Sequence, residues 1–561
     1  RMTRPRLGQP DELLSEVAVG ESVGEVAVIT GETRSTAAMA LRDSRLLRVD
    51  KVAFERVLGR HPEAMLRVGR LIVQRLQEGR ETLAREHLSS ARTYAVVPAH
   101  AGIDVHAFAQ SFARQLAMGG SSLRLDTERV ASALGQQAAQ TPFEDSNENS
   151  QLSLWLNHIE DRYRYLVYQA SETPDPWTRR CLRQADRIII VAHADRITLD
   201  SPCLKWLQER SFQAPKELVL LQSEAVDIGK PAPTVEWRTQ CGAEFHHNIG
   251  AGLNEADMGK MARLSSGRGV CLVLGGGGAR GFAHLGLIRA LYEKGIPIDA
   301  IGGTSMGAFV AALVAMGMSY EKLLETMRTT FVDNNHLNDY SLSRISLISG
   351  KKFRGQLEKI FGDLRIEDMK LPFYCISTNL THGRAVVHDQ GLLVDWIGTS
   401  MAVPGIAPPT VYRGEILVDG GLMHGVDFET MMAQGRGRVV FSDVSRARDL
   451  TMEGVAEDAP QLLINTNYKD SNLSIFKILF HSATLVDARQ KQEMERRADL
   501  VLHQPVGDLG LFDWEELDNI AYRAYHYADE QLDRFLEKHP DLQTALSKDK
   551  EPKSKPSIAA A

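Results

Sequence analysis

The chain has 561 residues, 43% of them hydrophobic and 24% charged, with a formal charge of −7. The length exceeds what one hydrophobic core serves and implies roughly three or four domains, while the acidic balance offers no overall surface for a polyanion and disfavours nucleic acid as a partner. Cys181, Cys203, Cys241, Cys271 and Cys375 lie far apart, form no Cys-x-x-Cys pair and are odd in number, which speaks against a disulfide framework and for a reducing cytoplasm.

No window reaches the ~18 uninterrupted apolar residues of a membrane-spanning helix. The N-terminus lacks the apolar core of a signal peptide, and the opening at Arg1 rather than Met reads as a piece of a longer protein. Residues 15–50 are dense in Val, Ala and Gly, and the short alternations Val26, Val28 and Leu46, Leu47, Val49 predict small strands joined by tight turns. Ala64, Leu66, Val68, Leu71, Ile72 and Leu76 then recur at helical spacing, and the charged run Gln77–Glu86 supplies a solvated face.

From Tyr94 the runs Ala95–Val97, Arg187–Val191 and Leu218–Leu221 read as strands of an α/β layer, with Gln137–Ser150 as a loop. No glycine-rich segment ending in Gly-Lys-Ser/Thr follows the first strand, so a phosphate-binding loop is not expected. His246 and His247 point different ways with no ligand cluster around them, so no metal is expected either. From Gly269 to about Asp443 strands, glycine loops and helices alternate. A mostly helical extension follows to about Leu546, and 547–561, rich in Lys, Pro, Ser and Ala, reads as a disordered tail.

Three motifs carry the chemistry. The buried-strand pattern Val270–Leu274 runs into Gly275-Gly276-Gly277-Gly278-Ala279-Arg280-Gly281 and then a helix with Phe282, Leu285, Ile288 and Leu291 on one face. Such a loop leaves backbone N–H groups free at a helix N-terminus, suited to a phosphate or an oxyanion. A dinucleotide fold would need an acidic residue ending a second strand about 20 residues on, and none is there. After a predicted strand at Ile298–Ile301 comes Gly303-Thr304-Ser305-Met306-Gly307 and the apolar helix Ala308–Met316, the strand, elbow and helix that a nucleophilic serine requires. Alone, this pattern is equally a tight turn with a capping serine. The third motif, Val418-Asp419-Gly420-Gly421, sets a carboxylate at a strand end, and alone it is equally a turn.

Taken together the motifs resemble the patatin-like phospholipase family, and within it the neuropathy target esterase group. Gly276–Gly281 is similar to the oxyanion loop, Gly303–Gly307 to the nucleophile elbow and Asp419-Gly420-Gly421 to the aspartate motif. Ala283–Gly286, Gly302–Ser305, Pro404-Gly405 and Pro408-Pro409 extend the likeness over roughly 269–443. Where many members continue with an Asn-rich turn and a proline, this chain has Leu422–Asp427, which alters the pocket wall rather than the dyad. The resemblance implies an α/β, three-layer hydrolase domain with Ser305 as nucleophile and Asp419 as general base. Gly276, Gly277 and Gly278 would form the oxyanion hole with Arg280 nearby, no cofactor being needed and His284 bracing the loop. The implied substrates are phospholipids or lysophospholipids at a membrane surface, the protein being cytoplasmic and peripheral.

Further upstream, Gly24–Ala37 resembles the phosphate-binding cassette of cyclic nucleotide-binding domains, implying contacts from Gly24, Glu25, Arg34 and Ser35. Too few residues precede it for a whole β-roll, so the module is expected to be partial, with cyclic nucleotide a possible ligand only of a longer chain. The expected order is a partial roll with exit helix over 1–92, an α/β linker domain over 93–265, the hydrolase over 266–445, a helical extension over 446–546 and a tail over 547–561. A competing reading makes the chain a cyclic-nucleotide receptor or membrane scaffold with a vestigial esterase domain.

Overall fold

The computed structural model describes residues 91–542 apart from 144–145, 197, 210–211, 213, 224–232, 335–338, 341–344, 423–427 and 446–493, together with scattered stretches between 2 and 69. Ser35, most of the exit helix, the pocket-wall turn 423–427 and the tail lie outside the described residues, as do Leu473, Ile475, Phe476, Ile478, Leu479 and Phe480, an apolar run whose sequence suits either peripheral membrane binding or a buried core helix. Two compact units result, 1–269 with 432–437 and 270–431 with 438–561. The finer five-part division remains a reading of the sequence.

In the first unit β1 (Met2–Arg4), β2 (Glu12–Ser15) and β3 (Ala37–Ala38) form a small antiparallel sheet, order β2-β1-β3. Helices α1 (Glu25–Thr30) and α2 (Lys51–Arg60) accompany it. The strand expected at Val26 and Val28 is therefore helix α1: a six-residue run between Gly24 and Gly31 is too short for its alternation to discriminate. Leu46, Leu47 and Val49 are exposed and belong to no strand.

The α/β layer is an all-parallel sheet of β4 (Thr93–Pro98), β5 (Ser122–Leu125), β6 (Tyr165–Gln169), β7 (Arg187–His193), β8 (Lys216–Leu221) and β9 (Phe245–Ile249), order β5-β6-β4-β7-β8-β9. Parallel strands need crossovers. Helices α3 (Val105–Leu116), α4 (Thr127–Leu134), α5 (Asn147–Arg162), α6 (Pro176–Gln184), α7 (Pro202–Gln208) and α8 (Thr234–Cys241) connect the strands, and α9 (Glu255–Ser265) follows the last. Successive side chains enter different cores. Ala95, Val97, Ile188 and Ile190 lie in one cluster, and Tyr94, Val96, Ile189 and Val191 in another, which explains why these strands read as unbroken apolar runs. Part of the expected loop Gln137–Ser150 is helical: Ser146 accepts the N–H of Asn149 and starts α5 at Asn147. Polar composition hid a cap followed by a solvent-facing helix.

The second unit holds an eight-stranded sheet: β10 (Gly269–Leu274), β11 (Ala300–Thr304), β12 (Phe373–Asn379), β13 (Arg384–His388), β14 (Thr410–Tyr412), β15 (Glu415–Asp419), β16 (Gly437–Asp443) and β17 (Leu500–His503). The order is β14-β15-β12-β11-β10-β16-β17, with β13 on β12. Strands β10, β11 and β12 run parallel, whereas β13 and β15 join β12 antiparallel. The predicted strand at Ile298–Ile301 begins instead at Ala300, because Asp299 is spent anchoring it: its Oδ2 accepts the Val270 N–H (3.0 Å) while its own N–H reaches the Val270 carbonyl (2.8 Å).

Helices α10 (Ala283–Lys294), α11 (Met306–Ala315), α12 (Tyr320–Met327), α13 (Lys351–Phe361), α14 (Leu393–Ser400), α15 (Phe428–Gln434) and α16 (Leu517–Lys538) complete the unit. The stretch beyond Asp443, expected to be mostly helical, also supplies β17, parallel to β16. Its long helix α16 buries Leu517, Ile520, Ala521, Ala524, Ala528 and Leu532 in the same core as Leu285 and Ile288 of α10. Small residues at that crossing let the helices approach: a β-carbon on Gly286 would stand 2.4 Å from the Ala521 carbonyl oxygen. Among the described residues no helix is long and apolar enough to cross a membrane.

Candidate active site

Strand β11 ends at Thr304 and α11 begins at Met306, leaving Ser305 alone at the turn with φ 53° and ψ −124°. A non-glycine residue in this region costs of order 1–3 kcal/mol and persists only where its surroundings over-determine it. They do here. A β-carbon on Gly307 would fall 2.2 Å from the Leu274 carbonyl oxygen, so glycine lets the elbow press on the end of β10. The N–H of Ser305 donates to Ser400 Oγ at 3.0 Å.

Ser305 Oγ donates to Asp419 Oδ2 at 2.7 Å, and both residues are buried. Asp419 ends β15, its Oδ1 accepting the Gly421 N–H (2.8 Å) and its own N–H reaching the Ala402 carbonyl (2.9 Å). Burial pushes the Asp419 carboxyl up to about 6, against the opposing pull of its bonds from Ser305 and Gly421. Among the described residues no histidine bonds to either member of the pair.

The glycine loop passes directly over the nucleophile: a β-carbon on Gly276 would lie 3.1 Å from Ser305 Cβ. Its two ends are tied down, Gly275 N–H to the Ser442 carbonyl (3.0 Å) and Ala279 N–H to the Leu511 carbonyl (2.8 Å). Among the described residues no acceptor takes the N–H groups of Gly276, Gly277 or Gly278, whereas that of Ser305 is occupied by Ser400. Donors for an oxyanion are therefore available from the loop and not from the nucleophile's own amide. Arg280 is buried in the following turn, Gly278–Phe282.

His284 sits beneath this loop, fully buried. Its Nε2 donates to the Gly275 carbonyl (2.8 Å), which fixes the tautomer and leaves Nδ1 to accept from the Ser442 hydroxyl (3.0 Å). Gln504 Nε2 donates in turn to Ser442 Oγ (3.0 Å). Burial pushes His284 down to about 4, so the ring is neutral, a brace for the loop rather than a base. Residues that sequence reasoning missed are Ser400, Ser442, Gln504 and Leu511, each reaching the site from a distant segment with no local pattern to mark it.

The other sequence expectations fall elsewhere. Gly24 precedes α1, Glu25 is buried as its first residue, and a β-carbon on Gly24 would stand 2.9 Å from the Arg34 guanidinium. In the α/β layer, the loop between β4 and α3 carries Asp104, whose carboxylate caps α3 by accepting the Ala107 N–H (2.8 Å). A carboxylate thus stands where a phosphate-binding loop would present its anion site. His247 is buried against Glu217, Nε2 to Oε2 at 2.7 Å. Among the described residues no group of three or more His, Cys, Asp or Glu is placed to hold a metal ion.

Comparison with known proteins places most of the chain in two family profiles. Residues 272–432 match the patatin-like phospholipase family profile, and 90–264 match the profile of a neuropathy target esterase family P-loop like domain. Patatin-like phospholipase domain-containing protein 7 of Rattus norvegicus is 30% identical, over 92% of this chain and 42% of its own length. Neuropathy target esterase sws of Drosophila melanogaster is 29% identical over 80% of this chain and 34% of its own. Lysophospholipase NTE1 of Coccidioides immitis is 28% identical over 93% of this chain and 38% of its own. The chain spans less than half the length of these relatives. With residues matching both the patatin-like phospholipase profile and the neuropathy target esterase family P-loop like profile, the chain belongs to the patatin-like phospholipase family, in the neuropathy target esterase group.

Proposed function

We propose that the protein is a serine esterase that hydrolyses fatty-acyl esters of phospholipids or lysophospholipids through a covalent acyl-enzyme. The observation that carries the reading is the 2.7 Å bond from buried Ser305 Oγ to Asp419 Oδ2 beneath a loop whose Gly276, Gly277 and Gly278 amides meet no acceptor among the described residues. The names of the relatives, phospholipase and lysophospholipase, support the substrate class.

In this reading Asp419 takes the Ser305 hydroxyl proton as the serine oxygen attacks the ester carbonyl, and the N–H groups of Gly276, Gly277 and Gly278 hold the negative charge that develops on the carbonyl oxygen. Collapse of the adduct breaks the ester C–O bond, and protonated Asp419 returns the proton to the departing lipid alcohol. Water then attacks the acyl-serine with Asp419 again as base, releasing fatty acid and restoring Ser305. The five cysteines are buried and none is joined in a disulfide, which supports a reducing, cytoplasmic setting.

The test is fatty-acid release from phosphatidylcholine and lysophosphatidylcholine by the full chain. Ser305→Ala, Asp419→Asn and the double variant should all fall to the same residual rate, because nucleophile and base act as one unit. An Asp419→Asn enzyme retaining more than about a tenth of the rate, where a positioned base is worth ~10²–10⁴-fold, would point to a different base. Failure of a fluorophosphonate to label Ser305 would favour the scaffold reading.

A further inference from the structure

Both members of the dyad are held by one short segment at the end of α14. Ser400, the last residue of that helix, accepts the Ser305 N–H (3.0 Å) and donates its own hydroxyl to the Ile376 carbonyl of β12 (2.6 Å). Two residues on, the Ala402 carbonyl accepts the Asp419 N–H (2.9 Å). The Ile376 carbonyl also lies against the backbone that follows the base, since a β-carbon on Gly420 would stand 2.6 Å from its oxygen. Ser400 is wholly buried, and both of its bonds reach other segments of the chain rather than its own helix.

We propose that Ser400 is a positioning residue that clamps the strained Ser305 elbow to the strand beside Asp419, and so sets the distance between nucleophile and base. The inference rests on the reading of Ser305 and Asp419 as a hydrolytic dyad. Without the Ser400 hydroxyl the Ser305 N–H has no acceptor in a buried place. The elbow then relaxes toward an ordinary backbone conformation and carries Oγ away from Asp419, and a displacement of about 1 Å in a reacting group costs on the order of 10²-fold in rate. The hydroxyl is needed in both directions, as acceptor and as donor, which alanine cannot supply and threonine can.

The experiment compares the 561-residue chain as wild type, Ser400→Ala, Ser400→Thr and Ser305→Ala, using a soluble p-nitrophenyl acyl ester, with thermal melts alongside. Ser400→Ala should lower kcat by about 10²-fold while KM stays within about threefold, a loss confined to the chemical step. Its acidic pH limb should move upward, because the Ser305 bond that favours ionised Asp419 is weakened. Ser400→Thr should recover most of kcat and the wild-type limb. Should the extra methyl group prevent folding, as the melt will report, the pH limb of Ser400→Ala decides by itself. Ser400→Ala with kcat and pH limb unchanged, beside an inactive Ser305→Ala, overturns the clamp and leaves the dyad standing. A kcat loss with an unmoved limb and a much lowered melting temperature also overturns it, in favour of a packing role. Full activity in Ser305→Ala would instead sink the dyad reading itself.

Discussion

As the proposed base, Asp419 sets function and stability in conflict. Its carboxyl titrates near 6 in the fold because it is buried, whereas an unfolded aspartate titrates near ~3.9. A base must be ionised, so kcat/KM for a soluble ester should rise with pH through about 6 and flatten above it, and a rate independent of pH between 5 and 8 would exclude Asp419 as the base. The same shift works against folding. Because the folded pKa lies above the unfolded one, the penalty is absent below the unfolded value, grows between the two and is complete above about 6. Asp419→Asn should therefore stabilise the protein by up to about 3 kcal/mol at pH 8 and by much less at pH 4, even as it abolishes activity. Denaturant melts at the two pH values check the sign. His284 shows the opposite economy, a neutral buried ring whose two bonds to Gly275 and Ser442 shape the loop without taking part in proton transfer.

Among the elements, α16 binds the C-terminal stretch to the catalytic core. It meets α10, the helix that leaves the glycine loop, across Gly286 and the small residues Ala521 and Ala524. Just before it, the Leu511 carbonyl anchors Ala279 at the end of that loop, and Trp514 stacks on Phe331 (ring centroids 5.3 Å apart) while meeting Phe282 edge-on. The family profile ends at residue 432, yet the glycine loop is anchored by Leu511, well beyond that end. Gly286→Ala should force the two helices apart, costing about 1–3 kcal/mol as overpacking does. It should also lower kcat through the attached loop. Chemical denaturation and ester turnover measured together test this, and a variant with native stability and rate would show the crossing to be slack.

At the scale of the whole molecule, residues 432–437 cluster with the first unit although the chain around them builds the second. Arg436, within this segment, donates to Glu217 Oε2 (3.3 Å), and Arg187 bonds the other oxygen of that carboxylate. His247 and the Ser265 hydroxyl complete the shell around Glu217, all of them buried. Burial alone would raise the Glu217 carboxyl, but Arg187, Arg436 and His247 hold it well below the usual range. Removing one partner from such a cluster leaves buried charge uncompensated. Glu217→Ala should accordingly destabilise the protein by about 3–5 kcal/mol in a thermal or urea melt, whereas a loss under 1 kcal/mol would mean that the guanidinium groups find water.

What the amino-acid sequence determined by itself is what lies close together along the chain. Strand, glycine loop and helix at Val270–Leu291, the elbow at Ser305 and the carboxylate ahead of Gly420-Gly421 are each written within a few residues, because a tight turn at a strand end demands glycine at fixed offsets. The buried parallel strands were legible for a similar reason, since burial on both faces leaves an unbroken apolar run in Arg187–Val191. Short or polar segments misled: Glu25–Thr30 is too brief for periodicity to decide, and α5 begins inside a stretch that looks like loop. Only the tertiary structure decided which distant groups meet. Ser305 and Asp419 are 114 residues apart, Ser305 and Ser400 95, Glu217 and Arg436 219. A lone serine ending a helix or an arginine before a strand carries no periodicity and no turn signal, because its partner is chosen by the packing of sheets and helices and not by its neighbours in the chain.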